Sequence, residues 1–485
     1  MGKKEEKIME NEKFGEKNLA VTGTYKTLDE WKVAFEKYGK GEPVEIYARY
    51  NNPALQEREK KVAQEIGADK VLLYNDGMAA FNDAMESLHL TKGDVLLYSP
   101  SIYGESLNFI KEDLMKRGVK CIPIESGKKD ELNELIDQYR PKAIFTETVG
   151  NAQDMPVVDL KNLFEKTEEM NEKYQKDLTL PTLIEKQLIH KSWINNWFAY
   201  LGHNLTLEGK IALLGDLPKK FEQTARAIDK DQSSMPLRDL LRELEARTIR
   251  INPSRIGALR ELKSFLDTIW LAKREMPMTL ILDNTLPTET NLKLPQEIKK
   301  TTAPVLVVDS GTKFFAKDKT TIGVAYSNNP DKILELEIQR MRSGSYLPKG
   351  SEALLPETTK EEFDIRNKQI LNNTKLLAQS FSKAIGKIGI TAVSHPNLPT
   401  HPNYEYAEKN LPDGATAVFY IQCKDAWETA DKLEKGGLKG LVEYGGSFAF
   451  EKTRVGVFGD MVRIAGGNES PEELEKILNV IETVE

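Results

Sequence analysis

Short runs of apolar, often β-branched residues recur along this chain, and each is followed by a stretch whose apolar positions repeat every three or four residues. "KVLLYN" with "MAAFNDAMESLHL" is the first such pair, from about residue 70. "DVLLYS" with "YGESLNFIKEDLMKRG" and "KCIPIE" with "KKDELNELIDQYR" repeat it, and "AIFTET" follows. Unbroken apolar runs read as strands buried on both faces, and their alternation with amphipathic helices predicts βαβ units around a mostly parallel sheet. "TLILDNT" and "VLVVDSG" extend that sheet, and "TIGVAYS" adds a further strand.

The rhythm breaks between about residues 163 and 276, where "LRDLLRELEARTI" and "IGALRELKSFLDTIWLAKRE" carry helical periodicity. A βαβ crossover needs only about 30 residues, so this stretch reads as a helical insertion in one crossover. The aromatic stripe "SWINNWFAYLGH" within it suits a core, with a lid or a subunit contact as the alternative. From about residue 330 a helical link leads to a second α/β unit. In it "ATAVFYIQC" and "FGDMVRIAGG" are strand-like, "DAWETADKLEKGG" is helical, and "SPEELEKILNVIETV" is a closing helix with Ser470 as its cap. The predicted organisation is an N-terminal arm over residues 1–60, a large domain over 61–330 and a smaller domain over 331–485.

Composition narrows the classes. With 40% apolar and 29% charged residues the chain is an ordinary globular protein. A net charge of −7, with basic residues interleaved among acids, speaks against nucleic acid or an anionic membrane as partner. No apolar stretch approaches the roughly 20 residues of a membrane span. The charged "MGKKEEKIMENEKFGEKN" lacks the apolar centre of a signal peptide, so a cytoplasmic location is expected. Cys121 and Cys423 sit in strand-like runs and are expected to be small buried residues. The five histidines show no ligand spacing, so no metal is expected, and surface or turn roles suffice for them.

Four places carry candidate chemistry. Lys313 follows a buried-looking strand, where desolvation would lower its pKa and free the amine for Schiff-base chemistry. Ser310 and Thr312, just before it, are possible phosphate donors. In "NDGMAAFNDA" a glycine between strand and helix lets the Gly77 and Met78 N–H groups approach an anion, although a plain tight turn reads the same way. Asp283 ends a strand, the edge where open α/β sheets bind ligands, and is either a partner for a pyridine nitrogen or a turn cap. Tyr103 follows another strand end, either to stack on a flat ring or to anchor the core.

In order and spacing these segments resemble the Cys/Met-metabolism family of pyridoxal-phosphate enzymes, of fold type I. "YARYNNPALQEREKKVAQEIGADKVLLYNDGMAAF" is similar to the family's N-terminal segments, and "YGES", "ETVGN", "LDNTLPT", "DSGTK" and "MVRIAGGNE" follow in family order. The resemblance implies an α/β fold with a mostly parallel sheet and a smaller C-terminal α/β domain. It implies pyridoxal 5'-phosphate as cofactor and a small amino acid as substrate. Lys313 would then be the Schiff-base lysine and proton shuttle, Asp283 the partner of the ring nitrogen, and Tyr103 the stacking and catalytic tyrosine. Gly77, Met78, Ser310 and Thr312 would hold the phosphate, and Asn151 would approach the ring oxygen. Arg463 would clamp the substrate carboxylate. Tyr47 and Arg49 would reach a neighbouring subunit's site, implying a homodimer or homotetramer with shared active sites.

The chain departs from the family pattern in three places: "FFAKDKTTIG" after the lysine, "EYGGSFAF" in the C-terminal domain, and the insertion. The second places Glu443 and Tyr444 near the substrate side. The implied activity is a carbon–sulfur lyase working by β/γ-elimination. The alternatives are a γ-replacement transferase of the O-acetylhomoserine sulfhydrylase or cystathionine γ-synthase kind, and a non-catalytic binding paralogue.

Overall fold

In the computed structural model, which describes residues 22–39, 44–49, 52–125, 129–177 and 277–484, the seven expected large-domain runs all become strands of one sheet. They are β1 (Val71–Tyr74), β2 (Val95–Tyr98), β3 (Lys120–Pro123), β4 (Ala143–Glu147), β5 (Thr279–Asp283), β6 (Val305–Asp309) and β7 (Gly323–Ser327). Their order across the sheet is β1-β7-β6-β5-β4-β2-β3. Every residue of β1, β4 and β6 is buried, which is why these strands read as apolar runs without alternation. Only β7 runs against its neighbours.

Parallel pairing brings the carboxyl ends of β4, β5 and β6 to one edge of the sheet. Glu147 is paired with Asp283 there, and Asp283 with Val308, one residue before Asp309. In the core Phe81 and Phe145 pack with tilted rings, centroids 4.9 Å apart, among Tyr74, Leu96, Leu306 and Val308. Each such fully buried side chain contributes about 1.5–3 kcal/mol. Gly323, opposite Tyr74, is required by close approach: a Cβ there would lie 2.1 Å from the Asp76 carbonyl oxygen.

A second sheet follows, with β8 (Ile390–Ser394), β9 (Val418–Cys423), β10 (Glu443–Tyr444), β11 (Arg454–Phe458) and β12 (Met461–Ala465) in the order β10-β11-β12-β9-β8. The predicted runs account for β9 and β12. β8 mixes buried and exposed positions and β11 has Gly456 at its centre, so neither presents an apolar run. The closing helix Pro471–Thr483 starts at a complete capping box between Ser470 and Glu473.

The chain divides into a unit of Met1–Lys166 with Thr279–Glu485 and a unit of Thr167–Met278. In the second, Asn171 closes a two-bond clasp with Met278, its Nδ2 donating to the Met278 carbonyl at 3.1 Å and its Oδ1 accepting the Met278 N–H at 2.6 Å. Residues 178–276, with most of the predicted insertion, its aromatic stripe, His190 and His203, lie outside the described residues. Two expectations need correction. Cys121 and Cys423 are half-buried rather than buried, because β3 is a sheet edge and Cys423 ends β9. His395 and His401 do take turn roles, accepting the Asn397 and Asn403 N–H groups, but inside the protein and not on its surface. Among the described residues no group of three or more His, Cys, Asp or Glu side chains is placed to hold a metal, and no helix is long and apolar enough to cross a membrane.

Candidate active site

The turn after β6 is wound tightly. The Lys313 N–H donates to the Ser310 carbonyl at 3.2 Å, and the Phe315 and Ala316 N–H groups to that of Gly311 at 3.1 and 2.8 Å. The Ser310 N–H donates to Thr285 Oγ1 at 2.9 Å, and the Thr285 N–H to Asp283 Oδ1 at 2.9 Å. One chain of bonds thus joins Asp283 to the lysine turn. Burial lowers the Lys313 pKa, and the positive charge of Arg463 lowers it further against the opposing Asp318. A strand-end lysine with a weakened hold on its proton is a competent nucleophile and base.

Gly77 opens the helix Gly77–Glu86, directly against Ser310. A Cβ on Gly77 would lie 3.0 Å from Ser310 Cα and Cβ and 3.3 Å from its Oγ. Met78 is next, its sulfur accepting the Ser106 hydroxyl at 3.7 Å. Thr312 is turned to its own strand: Oγ1 accepts the Ile322 N–H at 3.0 Å and faces the Ile322 carbonyl at 3.4 Å. Asp76 caps the helix through the Ala79 N–H at 2.7 Å, setting a carboxylate where the helix dipole favours an anion.

On the other side of Asp283 stands Glu147, only 4% exposed. Burial and then the Asp283 charge push its pKa well above the usual carboxylate range, against backbone N–H bonds from Tyr103 and Asn151. The Tyr103 bond measures 2.6 Å. Burial also raises Asp283 itself. Tyr103 follows with its side chain open to solvent, so the core-anchor alternative fails. Asn151 Oδ1 accepts the Tyr420 hydroxyl at 2.9 Å, and Arg463 is the register partner of Tyr420 on β12.

The structure therefore gathers Lys313, Ser310, Gly77 and Asp283 along one line, and Asn151 and Arg463 along another that approaches the same lysine. It leaves others apart. Tyr444 lies on β10 at the edge of the second sheet, half exposed, beside a Glu443–Arg454 ion pair of 3.0 Å. Arg49, with its guanidinium 5.4 Å from the Tyr47 ring, lines a cavity of about 1190 Å³ with Glu59, Arg340 and Tyr346, and Lys313 does not line that cavity.

Three contributors went unread in the sequence. Tyr420 is one, and the buried Asp309–Glu289 pair is another. The third is Phe448, whose ring lies 5.7 Å from Lys313 Nζ and 6.0 Å from the Phe314 ring. Its neighbours Ser447 and Ala449 hold φ of 68° and 67°, a conformation that costs non-glycine residues about 1–2 kcal/mol each. Arg366 Nη2 steadies the loop by donating to the Ala449 carbonyl at 2.9 Å. The "GGSFAF" string carried that signal: two glycines followed closely by aromatics.

Sheet order, a strand-end lysine and the paired smaller domain are together those of the fold type I pyridoxal-phosphate enzymes. A solved structure from Campylobacter jejuni, described as an O-acetylhomoserine (thiol)-lyase and carrying a pyridoxyl-lysine phosphate, shares the fold with a TM-score of 0.60. It is 16% identical, and the superposition covers 96% of this chain and 93% of that one. Within this class the chain belongs to the Cys/Met metabolism PLP-dependent enzyme family, whose sequence profile matches residues 5–183 and 261–479. The chain is 29% identical over 114 residues to the homocysteine/cysteine synthase of Saccharomyces cerevisiae, and 27% identical over 188 residues to the cystathionine gamma-lyase of the same yeast. These stretches cover 24% and 35% of this chain and 25% and 47% of the relatives, so the chain matches a quarter to a half of their lengths.

Pyridoxal phosphate is the cofactor of this family, and the residues present fit it. The cradle between Gly77 and Ser310 is one that a Cβ would fill, and the donor set is right for an aldehyde, a ring nitrogen and a phosphate. The Asp76 carboxylate, capping the same helix start, opposes an anion there.

Proposed function

We propose that this protein is a carbon–sulfur lyase that acts on a sulfur-containing or related amino acid by β/γ-elimination. The observation that carries the reading is Lys313, held at the carboxyl end of β6 with its pKa lowered and Arg463 close enough to contribute to that lowering.

Bound pyridoxal phosphate supplies an electron sink for the negative charge that develops at Cα. The remaining work falls to side chains. Lys313 takes the proton from Cα and holds it for delivery elsewhere on the substrate, a role that requires an amine neutral near physiological pH. Arg463 binds the α-carboxylate through its planar guanidinium and so orients the Cα–H bond. Asp283 keeps a proton on the ring nitrogen, and the Thr285 N–H holds that carboxylate in place. Gly77, Met78 and Ser310 receive the phosphate, while Thr312 shapes the turn. Tyr103 offers its ring for stacking and its hydroxyl to the leaving group. Phe448 excludes water beside the lysine.

Similarity to a γ-replacement enzyme supports a second reading, in which a thiol adds in place of the departing group: O-acetyl-L-homoserine sulfhydrylase of Corynebacterium glutamicum is 28% identical over 117 residues. A homodimer or homotetramer belongs to the proposal, supported by Arg49 lining a cavity that its own chain's Lys313 does not line. A cytoplasmic location rests on the amino-acid metabolism of the relatives alone.

The test is to load purified protein with pyridoxal phosphate and measure the visible absorption band, then 2-oxo acid release from sulfur amino acids with and without a thiol acceptor. A band that disappears in Lys313→Ala supports the reading. Protein that stays colourless refutes it, and turnover only with a thiol selects replacement over elimination.

A further inference from the structure

Tyr420 stands where the two sheets of the first unit meet. It lies on β9, 7% exposed, opposite Arg463 in the β9–β12 register. Its hydroxyl donates to Asn151 Oδ1 at 2.9 Å, and Asn151 sits on the loop after β4. The Arg463 side chain, its register partner, opposes through its positive charge the rise that burial imposes on the phenol. On its other side the guanidinium lies 4.2 Å from the Phe458 ring. Arg463 thus lies between an aromatic face and a neighbouring phenol, and the phenol is itself bonded to the loop after β4.

Two physical consequences follow. An arginine loses rotamer entropy on binding, and a guanidinium already restrained loses less of it. An asparagine whose Oδ1 accepts from a phenol has its amide orientation chosen, leaving Nδ2 as the donor on the remaining side. Removing the phenol hydroxyl would loosen the arginine and take the partner from a part-buried Oδ1.

We propose that Tyr420 is a positioning residue for substrate carboxylate: it holds the Arg463 guanidinium toward Lys313 by tying it to Asn151 across the sheet junction. This deepens the proposed function and rests on Arg463 being the carboxylate receptor there.

The experiment uses the full-length protein loaded with pyridoxal phosphate and two small amines, glycine and methylamine, which differ by one carboxylate. Their apparent dissociation constants are read from the change each causes in the visible band. In Tyr420→Phe, glycine binding weakens at least tenfold, methylamine binding changes less than twofold, and cofactor affinity stays within twofold. In an Arg463→Ala background the added Tyr420→Phe changes glycine binding less than twofold. Should Tyr420→Phe fold poorly, Asn151→Ala deletes the other end of the same bond and shows the same loss of selectivity for the carboxylate. Equal weakening of both amines, or a lowered melting temperature with glycine affinity intact, overturns the proposal and leaves Tyr420 a structural residue. Wild-type protein that takes up no cofactor overturns the proposed function instead, and wild-type protein that binds both amines equally removes Arg463 as the receptor.

Discussion

Glu147 and Asp283 are register partners on the parallel strands β4 and β5, so two carboxyl groups stand side by side at the edge where the lysine turn begins. Neighbouring buried acids cannot both ionise cheaply, and Glu147 is the one held toward its neutral form. Because its folded pKa is raised, the stability that it contributes is whole below the ordinary glutamate pKa of about 4.3 and is lost as pH rises through the folded value. Glu147→Gln keeps an acceptor for the Tyr103 N–H and should melt higher than wild type at neutral pH. That advantage should vanish toward pH 4, in paired melting curves.

Asp309 and Glu289 form a second such pair behind the lysine turn. Burial raises Asp309 well above the usual range, then Glu289 and Asp283 raise it further, and burial raises Glu289. Tyr326 donates to Glu289 Oε1 at 2.9 Å. One proton relieves the pair. Asp309→Asn and Glu289→Gln should therefore each stabilise the protein at pH 7 to 8, and the double variant should gain less than the sum in denaturant titrations.

Lys313 titrates with the opposite sign. Its lowered folded pKa means that the cofactor-free protein is penalised while the amine must be charged, and the penalty lifts as pH rises toward the ordinary lysine value of about 10.4. Lys313→Met should raise the melting temperature of cofactor-free protein at pH 7, with the gain shrinking toward pH 10.

Asp76 competes with any anion at the start of the helix Gly77–Glu86. Asp76→Ser retains a cap for Ala79 and removes the charge, which should tighten pyridoxal-phosphate binding by about 0.3–1 kcal/mol, up to roughly fivefold. Fluorescence titration measures it, and added salt should narrow the difference.

Gly77→Ala tests the cradle from the other side. The new methyl group meets the Ser310 backbone, and overpacking of this kind costs about 1–3 kcal/mol. Cofactor affinity should fall at least about fivefold, while far-ultraviolet circular dichroism stays unchanged.

Much of this protein is local in origin. Runs such as "VLLY" and "VLVVD" are apolar throughout because both faces of the central sheet are covered, so each strand announces itself without its partners. The capping box at Ser470 and Glu473 spans one helical turn, and Lys313 lies four residues past the end of β6, so sequence alone marked both. Exposed or interrupted strands such as β8 and β11 gave no such run.

What tertiary structure alone decided are relations between distant residues. The bond from Tyr420 to Asn151 joins positions 269 residues apart, Glu289 is reached by Tyr326 from another element, and Phe448 meets Lys313 from a strained loop in the other sheet. Hydrophobic periodicity records which face of an element is buried and carries no record of what faces it. Register, crossover order and the reach of a polar tip decide that, and they exist only once the sheets have formed.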